Sequence, residues 1–168
     1  MTAPPPRDPS DALQALVDQH EIEQLMYRYA TGIDTADYEL VDTVFTDDGE
    51  VDYVSLGGPR GQWHDEVRAW SVESLAAFPV RKHHLSNVVV RYADDRGSAT
   101  SVTYWRSPMG FARADGSIHL FESGGRYLDE LVRTSDGWRI AVRVTAQDWM
   151  SGTLPPELAG DAPPERIV

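Results

Sequence analysis

The chain has 168 residues, with 27 acidic against 15 basic side chains and a formal charge of -12. A surface of that sign repels phosphate backbones and anionic headgroups, so neither nucleic acid nor a membrane surface is an expected partner. The absence of cysteine excludes disulfides, thiol nucleophiles, iron-sulfur clusters and cysteine-based zinc sites.

A hydrophobic content of 41% with 10% aromatic residues suits one folded domain. The Pro-rich start, Met1 to Asp8, lacks the apolar stretch of a secretion signal, and no run approaches a membrane span, so the expected location is the cytoplasm. Residues 1–10 and 150–168, where proline, glycine and small residues displace hydrophobic periodicity, read as tails around a domain at 11–149.

Ser10 or Asp11 can cap a long amphipathic helix whose stripe runs Leu13, Leu16, Val17, Ile22, Leu25, Met26, Tyr29 and Ile33, at spacings of three and four. Gly32 marks its expected end, and Asp34 falls in the joint before a short helix carrying Leu40, Val41, Val44 and Phe45. After the turn Thr46 to Gly49, the alternation of Val51 and Tyr53 predicts a strand over 50–55, ended by Gly57-Gly58-Pro59. A third helix is expected from about Gln62 to Phe78, stopped by Pro79. The period then changes to two, predicting strands over 81–93, 98–109 and 117–133 and a last one ending near Trp149. Gly124-Gly125 predicts a bulge in the longest strand. Early helices followed by a four-strand antiparallel meander make an α+β order.

No phosphate loop, dinucleotide fingerprint, nucleophile elbow or HExxH pair is present. Ionisable and phenolic side chains remain. Asp34 can cap the following helix or hold and polarise an imidazole. His83 and His84 open a strand, so one faces inward and the other outward; His83 shares a face with Leu85, Asn87 and Val89, His84 with Ser86, Val88 and Val90, and both faces are mixed. Tyr27, Tyr29 and Tyr53 suit core aromatics with a polar tip, and Glu122, His64 and His119 suit the surface. No ligand spacing among His64, His83 and His84 supports a metal site.

Taken together, Tyr27-Arg28-Tyr29-Ala30-Thr31-Gly32-Ile33-Asp34-Thr35-Ala36-Asp37 and Phe45 to Tyr53, with His83-His84-Leu85-Ser86-Asn87, Gly124-Gly125-Arg126-Tyr127 and Asp136-Gly137-Trp138-Arg139-Ile140, resemble the SnoaL-like proteins of the nuclear transport factor 2 superfamily over residues 11–149. The resemblance implies a cone in which a strongly curved antiparallel sheet and its helices enclose a deep apolar pocket. It further implies a homo-oligomer, dimer or trimer, and cofactor-free chemistry without metal on a small apolar ring compound. Within that superfamily, scytalone dehydratase, bile-acid 7-alpha-dehydratase and hexachlorocyclohexane dehydrochlorinase use an Asp and His pair for elimination. Asp34 and His83 match that pair, Tyr29 and Tyr53 resemble the dehydratase tyrosines, and Trp70, Asn87, Trp105 and Phe121 are expected to line the pocket. The second histidine of scytalone dehydratase has no counterpart in Ser101 to Arg106, and Tyr29 stands where the dehydrochlorinase has lysine. These departures favour proton transfer or dehydration, lyase or isomerase chemistry, over dehydrochlorination and assign no acid to the leaving group. Polyketide cyclisation, hydrolysis and non-catalytic ligand binding are alternatives on the same fold.

This pairing has a physical rationale. A carboxylate fixes an imidazole's tautomer and stabilises the imidazolium formed on proton abstraction, near a reference pKa of about 6.5. A phenol donates to developing oxyanion charge while remaining neutral.

Overall fold

The computed structural model describes residues 8–113 and 115–153. Helix α1, Pro9–Thr35, starts earlier than Ser10 or Asp11 would set it, because the Asp8 carboxylate accepts from the Ser10 N–H and takes the cap itself. Its stripe turns inward only from Asp18 onward: Ile22, Leu25, Met26, Tyr29 and Ile33 are buried, while Leu13, Leu16 and Val17 face solvent. Gly32 does not end the helix. A Cβ there would meet Val41 at 2.5 Å, so this glycine lets α1 approach α2, Tyr38–Asp42, and the left-handed residue that closes α1 is Ala36. Asp37, not Asp34, caps α2 by accepting from the Leu40 N–H.

Phe45 leaves the helix and opens β1, Phe45–Asp52. The expected turn at Thr46 to Gly49 is absorbed into this strand as an irregularity between Phe45 and Glu50. A 3-10 turn, Val54–Leu56, leads to β2, Arg60–Gln62, a strand too short to show periodicity. The expected third helix is broken into a wide turn, Trp63–Val67, and α3, Arg68–Ala76; Trp63 is anchored there by donating from its indole to Asp42.

Strands β3, Val80–Arg81, and β4, His84–Tyr92, replace the single expected strand. They are followed by β5, Ser98–Ala112, β6, Ile118–Thr134, and β7, Gly137–Ser151, which carries order past the expected boundary at 149. All seven strands form one curved sheet in the order β2-β1-β7-β6-β5-β3, with β4 also on β5. The meander is antiparallel as expected, and β1, outside it, pairs parallel with β7, which the long connection between these strands permits. The bulge at Gly124 and Gly125 is present, and the indole of Trp149 occupies the place of a Gly124 side chain.

The register stacks the inner face of β5, β6 and β7 into rows. Ala99, Leu131 and Ile140 form one row, Ser101, Asp129 and Arg143 the next, then Thr103, Tyr127 and Thr145. Trp105 with Gly125, Ser107 with Ser123, and Met109 with Phe121 continue toward the other end. Helix α1 packs on this sheet against β4 and β7. Its buried residues join Val41, Phe45, Trp63, Trp105, Tyr127 and Trp138 in the main core. No helix among the described residues is long and apolar enough to cross a membrane.

Candidate active site

Asp34 sits in the last turn of α1, one residue from its end. Beta-strand β4 lies at the sheet edge, and His83 precedes it in the two-residue gap after β3. Having no strand on that side, the His83 N–H donates to Asp34 Oδ2 at 3.0 Å, while ring Nδ1 lies 2.7 Å from Asp34 Oδ1. An ionised carboxylate only accepts, so against it Nδ1 is the donor, and the neutral imidazole in that tautomer has its lone pair on Nε2. Both side chains are mostly shielded, 11% exposed for His83 and 14% for Asp34. Asp34 does not cap the following helix, a place taken by Asp37; its carboxylate meets His83 instead.

His84 is exposed and pairs across the sheet with Arg106. The expected shared face of His83 and Asn87 is not formed. Asn87 takes a left-handed φ of 51° within a register shift between Ser86 and Val89; the extra residue breaks the alternation and leaves Asn87 exposed.

Tyr29 and Tyr53 are buried and their hydroxyls hydrogen-bond each other. No hydrogen bond among the described residues joins this pair to Asp34 or His83, so the expected site residues form two separate polar pairs. Trp70, half-buried on α3, places its ring 5.6 Å from that of Tyr53. Trp105 is buried on the inner face, pairs with Leu85 of β4 and stacks on Tyr127 at 5.8 Å. Phe121 belongs to a second apolar cluster with Phe78 and Met109.

An ion pair lies behind the tyrosines. Arg143 and Asp129 are fully buried, joined by Nε to Oδ1 at 2.7 Å and Nη2 to Oδ2 at 2.9 Å. The guanidinium carbon lies 4.3 Å from the Tyr29 ring centre and 4.2 Å from that of Tyr127, a cation held between two aromatic faces. Burial opposes its charge, but the Asp129 carboxylate outweighs burial and raises the Arg143 pKa. Burial first, and neighbouring phenols second, push the Tyr53 and Tyr127 phenols well above their ordinary value. Both therefore remain neutral hydrogen-bond donors in ordinary buffers. Arg143 and Asp129 were not singled out from the sequence: Arg143 is in phase with Arg139, Thr145 and Gln147, and a register shift between Glu130 and Leu131 sets it opposite Asp129 on the inner face.

Among the described residues, no three His, Asp or Glu side chains come close enough to hold a metal ion. The arrangement is an imidazole held by a carboxylate, the geometry a general base requires.

Comparison with known proteins places this geometry in a family. An uncharacterized protein of Mycobacterium tuberculosis is 40% identical over 127 residues, which cover 76% of this chain and 83% of that protein. The crystal structure of a Kribbella flavida protein superimposes with a TM-score of 0.72 at 28% identity, covering 82% of this chain and 95% of the other. A nuclear transport factor 2-like superfamily protein from Salmonella enterica shares the fold, with a TM-score of 0.66 at 17% identity over 88% of this chain and 99% of its own. The SnoaL-like domain profile matches residues 14–144, and with the antiparallel meander, the early helices and the relative at 40% identity this chain belongs to the SnoaL-like family.

Proposed function

We propose that the chain is a cofactor-independent lyase or isomerase of the dehydratase type, acting on a small, largely apolar, oxygen-bearing ring compound such as a sterol, terpenoid or polyketide. The observation that carries this reading is the two-point hold of Asp34 on His83. It fixes the ring plane and the tautomer before substrate arrives, which is what a general base at neutral pH requires. His83 Nε2 takes a proton next to a carbonyl or a leaving hydroxyl, Asp34 stabilises the imidazolium, and Tyr29 or Tyr53 donates to the oxygen on which charge develops. The C–H electron pair forms the new double bond, and the proton leaves with the departing hydroxide as water in a dehydration or returns to another ring carbon in an isomerisation. The experiment is a mass-spectrometric screen of ring alcohols and ketones for loss of water or an isomer shift, run beside His83→Ala. Conversion by the native chain that disappears in the variant supports the reading; conversion that persists removes His83 from it.

Non-catalytic ligand binding is the second reading, favoured by the filling of the inner face by Tyr29, Tyr53, Tyr127 and Trp105. Tight retention of a ring compound with no turnover would select it.

A homo-oligomer, dimer or trimer, is part of the same proposal. The outer sheet face carries an unbroken cross-strand row of Val89, Val102, Leu128 and Val144, and Val89 and Leu128 are exposed. Sedimentation as a monomer at micromolar concentration would overturn it.

A further inference from the structure

We propose that Ser107 is a third side chain of this site, a hydroxyl that binds the substrate oxygen beside His83; this rests on the reading of Asp34 and His83 as the reacting pair. The register carries the placement. Arg81 pairs with Met109, the Lys82 N–H donates to the Pro108 carbonyl at 3.2 Å, and His84 pairs with Arg106. The same register continues through the gap between β3 and β4 and sets His83 directly opposite Ser107. Of the next pair on this face, Trp105 is in the core and Leu85 packs against it, so His83 and Ser107 point to the inner side together. Directly opposed residues in an antiparallel pair have Cβ atoms about 4.5–5.5 Å apart. The two side chains are therefore neighbours.

A second, independent observation concerns the hydroxyl itself. Ser107 is 2% exposed, and its Oγ is buried with no hydrogen-bond partner among the described residues. A buried hydroxyl ordinarily finds a partner; a serine offers one proton and two acceptor positions, which suit a carbonyl or a hydroxyl group equally. Ser123 continues the row beyond Ser107, and the next row is apolar, with Met109 and Phe121 packed on Phe78. A ring compound whose oxygen meets Ser107 and His83 then lays its apolar body toward Phe78 and Phe121. This separates the polar and apolar ends of the substrate along β5.

The absence of native cysteine allows a direct test with Ser107→Cys, which needs no substrate. The thiolate is followed by its ultraviolet absorbance against pH, alone and combined with His83→Ala or Asp34→Asn, and the folded protein is challenged with iodoacetamide. A thiol beside the imidazole ionises with a midpoint at least about one unit below the free value of about 8.5. That depression should vanish with His83→Ala, and iodoacetamide should alkylate the folded protein. A midpoint that His83→Ala leaves unchanged overturns the placement of Ser107, whatever becomes of the dyad. A midpoint that responds to His83→Ala but not to Asp34→Asn leaves Ser107 in place and counts against Asp34 as the orienting group. Alkylation only after denaturation overturns the contact with substrate and makes Ser107 a packing residue.

Discussion

The main-chain N–H and the ring Nδ1 of His83 both end on the carboxylate of Asp34, so one side chain in the last turn of α1 sets the position and the rotation of an imidazole 49 residues later. Removing that carboxylate releases a main-chain donor at a sheet edge as well as the ring. Its loss therefore has a structural and a chemical component, which different substitutions separate.

His83→Ala is expected to lower turnover by about a hundredfold to ten-thousandfold, the usual contribution of a general base. Asp34→Asn is expected to give a comparable loss that does not add to the first, because both changes disable one unit. His84→Ala, on the exposed face, should change turnover by less than about threefold. Steady-state rates of the three variants on one converted compound decide the matter, and a large effect of His84→Ala alone would reassign the base.

Tyr53→Phe leaves the buried Tyr29 hydroxyl without its partner and should cost about 1–3 kcal/mol. The double variant Tyr29→Phe/Tyr53→Phe removes both hydroxyls and should cost less than the two single changes summed. Urea unfolding of all three checks this coupling.

Arg143→Met strands the buried Asp129 carboxylate and is expected to destabilise by about 3–5 kcal/mol, whereas Arg143→Met/Asp129→Leu should recover most of that loss. Thermal unfolding distinguishes the two. Equal losses in both variants would show that the contact of the guanidinium with the Tyr29 and Tyr127 rings matters more than the charge pair.

Acid and alkali should act through different groups. Burial opposes the charge of Asp18, but hydrogen bonds from Arg133 at 2.5 Å and Gln14 at 2.9 Å outweigh it, and its pKa is lowered. A lowered carboxylate contributes stability that is present above its unfolded pKa of about 3.9 and is lost as pH falls through the folded value. Asp18→Asn should therefore cost about 2–3 kcal/mol at pH 7 and flatten the acid limb of the stability curve. Burial raises Tyr92 to about 12 and raises Tyr53 and Tyr127 as well. These groups contribute stability that is present below pH about 10 and is lost as pH rises through their folded values. Denaturant midpoints across pH, with tyrosinate absorbance at the alkaline end, test both limbs.

What the sequence by itself determined was the fold class and the succession of early helices before a long-stranded meander. Spacings of three and four from Ile22 to Ile33, and period two from Leu85 onward, are local consequences of which side chains must leave water. The motifs around Asp34, His83 and Gly124-Gly125 carried the family. Local pattern could not say which of two good caps wins, and Asp8 and Asp37 took the ends of α1 and α2, leaving Asp34 free for His83. It also read Leu13, Leu16 and Val17 as buried, since hydrophobic spacing marks a helix face and does not show where the core that receives it begins.

Tertiary structure decided the rest because it depends on partners distant in the chain. One extra residue between Ser86 and Val89 broke the side-chain alternation and left Asn87 exposed. The parallel pairing of β1 with β7 and the Asp129–Arg143 pair between two tyrosine rings both follow from sheet register. Register is set by packing across the whole sheet, and a period-two pattern is equally satisfied by every even shift of one strand along its neighbour.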